Sequence, residues 1–251
     1  MSRLRDESIR GLFVTGTDTD VGKTILTAAI TAALRAEGLN VGVWKPVQSG
    51  ARLGSGLTDS ERLLQITGID ERPEAVAPFT FEAPLTPLLA AKQEGVTLTL
   101  TELIDAGIPL TKRYDTLLIE GAGGVAVPLT NDDLMVDLIS ELRIPTLIIA
   151  RSSLGTINHT LLTVSFLRNR GVQITGIILN DSEWTEPHDD PSIASNAELI
   201  EQYSGLKVLG RFPRLRADSH SEMWIHTVRQ TIQLGPIREA LADQKLSHIG
   251  G

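Results

Sequence analysis

The stretch GTDTDVGKT, Gly16 to Thr24, gathers residue types that could do chemistry together. A Gly-Lys-Thr ending placed between a strand and a helix is the setting in which backbone N–H groups wrap phosphates. Lys23 would neutralise those phosphates, and the Thr24 hydroxyl would be placed to hold Mg2+. Two features depart from the usual loop. Five residues, not four, separate Gly16 from Gly22, and Asp18 and Asp20 bring negative charge to a place suited to a polyanion. An Asp side chain can turn outward while its N–H faces the phosphate, and it can cap the helix start. The extra length leaves room for a second substrate beside the γ-phosphate, which a carboxylate could orient. The plain alternative is a glycine-containing turn with a surface lysine.

Other candidates sit where strands end. DTLLIEGAGG carries Glu120 at the end of an apolar run, followed by a glycine turn. A carboxylate there can reach Mg2+ beside Thr24, and Gly121, Gly123 and Gly124 let backbone approach a ligand. Read alone, it is also a strand-ending turn with an exposed Glu. KPVQSG places Lys45 as a second positive charge near a transferred phosphoryl group and Ser49 as a substrate hydrogen-bonding group. An isolated lysine reads first as a solvated side chain, and its strand-end position is what lifts it. In TDSERL, Thr58 and Glu61 form a capping-box pattern with Asp59 in the first turn. Asp59 can equally serve as a Mg2+ ligand, and the cap would fix that carboxylate.

GTINH, Gly155 to His159, opens a helix whose free N–H groups suit a carboxylate, with Asn158 as an added donor. Asn180 and Asp181 end another strand, where an amide could read a base edge or simply form an Asx turn. His188, Asp189 and Asp190 invite a metal reading, but adjacent loop residues rarely converge on one ion, and that reading is rejected.

The elements that must position these residues follow from the pattern. Gly11 to Gly16, Val41 to Val47, Asp115 to Gly121, Pro145 to Ala150, Ile174 to Asn180 and Lys207 to Phe212 read as strands, several apolar on consecutive residues. Helical patterns such as Lys23 to Gly38 and Thr156 to Gly171 lie between them. This alternation predicts a single α/β domain over residues 1–251, with a mainly parallel sheet flanked by helices, like a phosphate-loop NTPase. Residues 45–58 and 180–192 read as long loops, and 219–251 as a C-terminal helical segment of no evident role. Ligands belong at the carboxyl ends of such strands.

Composition narrows the classes. The 251 residues are 41% hydrophobic and 22% charged with net charge −8, and no dense Lys/Arg run forms a nucleic-acid footprint. The absence of cysteine removes disulfides, zinc knuckles and thiol nucleophiles, and fits a cytoplasmic protein. Neither a signal peptide nor a membrane-length apolar run is expected.

In order along the chain, GTDTDVGKT, KPVQSG, TD before a helix, EGAGG with VPL, GTINH and ND resemble the dethiobiotin synthetase family, from about Gly11 to Arg214. The resemblance implies a reaction in which one amine of 7,8-diaminopelargonic acid takes up CO2 as a carbamate. The carbamate attacks the γ-phosphate of ATP, and the second amine closes a cyclic urea. It implies catalytic roles for Lys23 and Lys45, and Mg2+ ligation by Thr24, Asp59 and Glu120. It further implies ATP contacts by Asp20, Val21, Gly22, Lys23, Thr24, Ile25, Asp59, Glu120, Gly121, Ala122, Gly123, Asn180, Asp181 and Pro213. Substrate would meet Thr19 and Ser49, and, across a homodimer interface, Gly155, Thr156, Ile157 and Asn158. The chain departs from the family at Leu88, where many relatives carry His, and at Thr58, where Ser is common.

Three rivals share parts of this pattern. Partition-type ATPases usually carry an extra lysine near the loop start, where this chain has Thr17 and Asp18. A regulatory protein of the same fold would not need Lys23, Lys45, Asp59 and Glu120 together. A cobyrinate synthase relative normally adds a glutaminase domain with a nucleophilic cysteine, and this chain has none.

Overall fold

Strands built of consecutive apolar residues must be covered on both faces, and helices with apolar stripes supply the cover. In the computed structural model, which describes residues 9–181, 190–216 and 219–246, the chain does this by alternation. Its first half runs β1 (Gly11–Gly16), α1 (Lys23–Arg35), β2 (Val41–Trp44), β3 (Val47–Ser49), α2 (Asp59–Thr67), α3 (Pro73–Val76), β4 (Phe79–Phe81) and α4 (Pro87–Gln93). Then come α5 (Leu100–Thr111), β5 (Thr116–Gly124), α6 (Met135–Leu142), β6 (Thr146–Arg151) and α7 (Thr156–Asn169). The chain closes with β7 (Ile174–Asn180), α8 (Ile193–Ser204), β8 (Val208–Phe212), α9 (Ser221–Thr231) and α10 (Gly235–Leu246).

Six strands form one parallel sheet in the order β2-β5-β1-β6-β7-β8. Side chains alternate between its faces. Leu12 and Val14 enter one core with Leu26, Ile30 and Leu34 of α1, while Phe13 enters the other with Met135 and Leu138 of α6. The C-terminal segment acquires a structural role here. Trp224 and Val228 of α9 and Ile237 and Leu241 of α10 complete the core on the α1 face, and Trp224 stacks on Phe212.

Two expected boundaries move. The strand predicted over Val41 to Val47 stops at Trp44, because Pro46 has no N–H to continue a ladder. The chain then steps out of the sheet, with Lys45 N–H donating to Val76 O, and Val47–Ser49 pairs in parallel with Phe79–Phe81. Part of the predicted loop over 45–58 is therefore a second, two-stranded sheet. The glycine turn expected after Glu120 remains in the strand. Val14 is in register with Glu120 and Gly16 with Gly124, so the glycines form a bulge beside the phosphate loop. Gly123 holds a left-handed φ of 65° in that bulge.

Candidate active site

The site lies at the carboxyl ends of β1, β2 and β5, as the parallel topology requires. Strand β1 hands the chain to the loop at Gly16, and the Thr17 N–H still donates to Ile149 O at 3.0 Å. The loop ends at Gly22, whose φ of 93° starts α1 without any side-chain cap. First-turn N–H groups that no side chain caps are open to a phosphate. The expected capping by aspartate is therefore corrected. Thr19 and both aspartates are exposed, Asp20 is left-handed at φ 57°, and the Asp18 carboxylate turns away from the helix. Its Oδ1 accepts the Thr19 N–H at 2.8 Å, and its Oδ2 pairs with Arg151 at 3.0 Å.

Lys23 is buried, and its Nζ donates to Asp18 O at 2.8 Å. Burial, joined by the nearby Lys45 charge, pulls its pKa down to about 8. Lys45 is 2% exposed, and its three protons reach Asp59 Oδ2 at 2.7 Å, Glu120 Oε1 at 2.7 Å and Gly121 O at 3.1 Å. Burial works against its charge, but the two carboxylates outweigh burial and raise its pKa. The carboxylates diverge. Burial pushes Glu120 up against the pull of Lys45. Burial also acts on Asp59, yet Lys45 and the Thr24 hydroxyl hold it low. The difference has a physical cause, since Asp59 keeps 35% of its side chain exposed and Glu120 only 1%.

The Thr24 hydroxyl lies 3.0 Å from Asp59 Oδ1 and 2.8 Å from Glu120 Oε1, and its one proton serves one of them. Among the described residues no cluster of three His, Cys, Asp or Glu side chains gathers as for a tightly caged metal. Two carboxylates and a hydroxyl instead suit Mg2+, which keeps waters and phosphate oxygens as its remaining ligands. Glu120 Oε2 is buried and lacks a hydrogen-bond partner, which adds an oxygen in search of a cation. The residues fit the ion.

The capping-box reading of TDSERL holds. Thr58 Oγ1 accepts Glu61 N–H at 3.3 Å, Glu61 returns a bond from Thr58 N–H at 3.0 Å, and Asp59 enters the cluster. Ser49 donates to Leu85 O at 2.7 Å and lines a small pocket with Gln48, Gly50, Ala51, Leu57, Thr58 and Asp59. Asn180 is buried at the end of β7. Its Nδ2 donates to Val21 O at 3.0 Å, so the amide braces the loop and leaves Oδ1 for a ligand. Asp181 is engaged too, accepting from Ser152 and from Arg211 Nε at 2.8 Å. Pro213 follows β8, half-buried, beside this strand end, and Ala122 lies within the glycine bulge. Ile25 is half-buried and packs against the core on the α1 face. At the start of α7, Gly155 is left-handed at φ 91° and Thr156 is buried, and no side chain caps the helix. His188 and Asp189 lie outside the described residues, and Asp190 accepts from Leu154 N–H and Ser192.

One residue at the site escaped the sequence reading. Arg151, the last residue of β6, joins Asp18 to His159 Nδ1 of α7, at 3.1 Å from the latter. The signal was a charged residue closing the apolar run TLIIA.

Residues 10–220 match a family model described as an AAA domain. The chain is 36% identical to the ATP-dependent dethiobiotin synthetase BioD of Bacillus cereus over 241 residues, covering 96% of this chain and 98% of the relative. It is 45% identical over 205 residues to the protein of the same name in Anaeromyxobacter dehalogenans, covering 82% and 90%. Among solved structures it is similar to the septum site-determining protein MinD of Pyrococcus horikoshii, complexed with Mg-ADP. The TM-score there is 0.52 at 17% identity, over 96% and 98% of the two chains. A ParA family ATPase of Chlorobium tepidum gives a TM-score of 0.51 at 15% identity, over 94% and 99%. At those identities the structural likeness speaks for the fold, that of phosphate-loop NTPases.

Proposed function

This chain belongs to the ATP-dependent dethiobiotin synthetase family, and on that premise we propose that it carboxylates 7,8-diaminopelargonic acid with CO2 and closes the ring. One amine takes up CO2 as a carbamate. A carbamate oxygen attacks the γ-phosphorus of ATP, ADP leaves, and a carbamic-phosphoric anhydride remains. The second amine attacks the carbamoyl carbon, phosphate leaves, and a cyclic urea forms. The observation that carries this reading is the convergence of Lys23, Lys45, Thr24, Asp59 and Glu120 at neighbouring strand ends.

Each residue has a chemical task in this scheme. Lys45, kept protonated by its two carboxylates, would stabilise charge shared by the carbamate and the γ-phosphate. Lys23 and the open first turn of α1 would cradle the phosphates. Thr24, Asp59 and Glu120 would hold Mg2+, which when bound neutralises phosphate charge. Thr19 and Ser49 would face the diamine, while Asp20, Val21, Gly22, Gly121, Ala122, Gly123, Asn180, Asp181 and Pro213 would border the nucleotide. The start of α7, from Gly155 to Asn158, would receive the substrate carboxylate from a partner subunit. Leu154 and Leu162, 77% and 62% exposed on either side of that segment, suit such a covered face. Among the described residues no helix is long and apolar enough to cross a membrane, and the cytoplasm is the compartment that suits the scheme.

The test is phosphate release from Mg·ATP with bicarbonate, with and without the diamine, with product mass recorded for wild type and Lys45→Ala. Diamine-dependent phosphate matched by a cyclic urea, and lost in the variant, is expected. Turnover that ignores the diamine, with no urea formed, would move the protein to the switch-type ATPases whose fold it shares.

A further inference from the structure

The geometry points to Gln48 as a positioning residue for the Asp59 carboxylate, an inference that rests on reading Asp59 as a metal-facing group. Gln48 lies three residues beyond Lys45 and is 3% exposed. Its side chain ties three elements together. Nε2 donates to Ser60 Oγ at 2.9 Å and to Thr80 Oγ1 at 2.8 Å, and Oε1 accepts the Ser60 N–H at 2.9 Å. Thr80 is its register partner on β4, and it also donates to Ala77 O at 3.0 Å.

Asp59 sits between two clamped neighbours. On one side the Thr58–Glu61 capping box fixes the helix start. On the other, Ser60, fully buried, is held through both its backbone and its hydroxyl by Gln48. The same amide therefore sets the separation between the β3 segment, which follows Lys45 and carries Ser49, and the first turn of α2, which carries Asp59. Remove it, and a buried N–H and two hydroxyls lose a partner in the first turn and its neighbour strand. The turn would then shift to recover bonds, carrying Asp59 away from Thr24 and Glu120. Mg2+ tolerates such displacement poorly because it demands near-ideal octahedral geometry. Groups that orient a metal ligand without touching the metal typically change metal affinity or activity by about 10–100-fold.

The experiment measures Mn2+ binding by electron paramagnetic resonance in the presence of a non-hydrolysable ATP analogue. It compares wild type with Gln48→Met, Thr80→Val and Asp59→Asn, and records a thermal unfolding midpoint for each. Gln48→Met keeps length and volume but removes every bond, and Mn2+ affinity is expected to fall about 10-fold or more. Thr80→Val cuts only the β4 arm, so its midpoint falls while Mn2+ affinity stays at the wild-type value. Should Gln48→Met not fold, Ser60→Ala removes one arm and carries the same test with a smaller fall. If Asp59→Asn loses Mn2+ while Gln48→Met and Ser60→Ala bind it normally, the strut is overturned and the metal reading stands. If Asp59→Asn binds Mn2+ as tightly as wild type, the metal reading fails and takes the inference with it.

Discussion

Replacing Lys45 by Met tests the electrostatics of the site more sharply than any activity loss would. The substitution keeps the unbranched stem, one atom shorter, and removes a charge that is 2.7 Å from Glu120 Oε1. Glu120 is 1% exposed, so its carboxylate then sits in the interior with no counter-charge from Lys45. Removing one partner of a buried pair costs about 3–5 kcal/mol, a large fraction of the roughly 5–15 kcal/mol that holds a folded domain. Asp59 contributes less to this loss because a third of its side chain meets water. The loss must also depend on pH in one direction. Burial already raises the Glu120 pKa above its unfolded value, and loss of Lys45 raises it further. A carboxyl with a raised folded pKa gives stability that is fully present below the unfolded value and lost as pH rises through the folded one. Lys45→Met should therefore lose most at pH 7.5 and recover part of its stability at pH 5.5. Adding Glu120→Gln should restore most of the stability at pH 7.5, since no charge then remains stranded there. Urea unfolding in EDTA, at both pH values, for wild type, the single variants and the double variant reads all of this. A loss of equal size at the two pH values, with no recovery in the double variant, would show that packing and not charge governs the pair.

Lys23, with its pKa held near 8, predicts that ATP binding weakens in mild alkali. Phosphate favours the protonated form, so Kd should rise above pH 8, up to about tenfold per pH unit, until the higher pKa of the complex is reached. A calorimetric Kd that stays flat from pH 7 to 10 would contradict it. Gly22→Ala should abolish nucleotide binding and lower the thermal midpoint, because φ is 93° and the new Cβ would stand 2.1 Å from Asn180 Nδ2. The left-handed backbone alone costs about 1–2 kcal/mol, and unaltered binding in this variant would refute the close approach. Asp18→Asn and Arg151→Gln should each change stability by less than about 1 kcal/mol, as befits a half-exposed pair. Both should nonetheless raise KM for ATP with little change in kcat if the pair holds the loop, and an unchanged KM would leave the pair without that role.

What the sequence made legible depended on how local each signal was. Glycine positions, the Gly-Lys-Thr ending and strand-end charges are short-range patterns, and the structure brings Thr24 and Lys45 each within hydrogen-bond reach of Asp59 and Glu120. The central strands of the main sheet were readable because consecutive residues are apolar and buried on both faces, as in β1, β5 and β6. The β3–β4 pair was not, since three-residue strands carry too little periodicity and Pro46 interrupts the run that contains one of them. Asn180 was legible as a strand-end amide, but its commitment to Val21 O depends on a contact across more than half the chain. The partners of Asp18 were equally remote. An aspartate in a phosphate loop reads as a puzzle until Arg151 of a distant strand is placed beside it.

The fold likeness to MinD and ParA leaves the reaction open, and the balance of charge at the strand ends argues from a different direction. Lys23 and Lys45 face Asp59 and Glu120, two cations against two carboxylates, so the formal charge of the group cancels. A free divalent ion would compete with Lys45 for Asp59 Oδ2 and Glu120 Oε1, and free ATP would meet those carboxylates as repulsive neighbours. Metal and nucleotide entering together would relieve both conflicts, with the ion on the carboxylates and the phosphates on the lysines. The rearrangement has a chemical consequence under the proposed reaction. Were Asp59 and Glu120 to turn to a bound metal, the Lys45 ammonium would lose its two carboxylate partners and become available to a γ-phosphate or a carbamate beside it. A switch ATPase has no second nucleophile to receive that charge. A ring-forming synthetase would have one in the carbamate, and a buried lysine that stays protonated as its carboxylates turn to a metal would suit that demand.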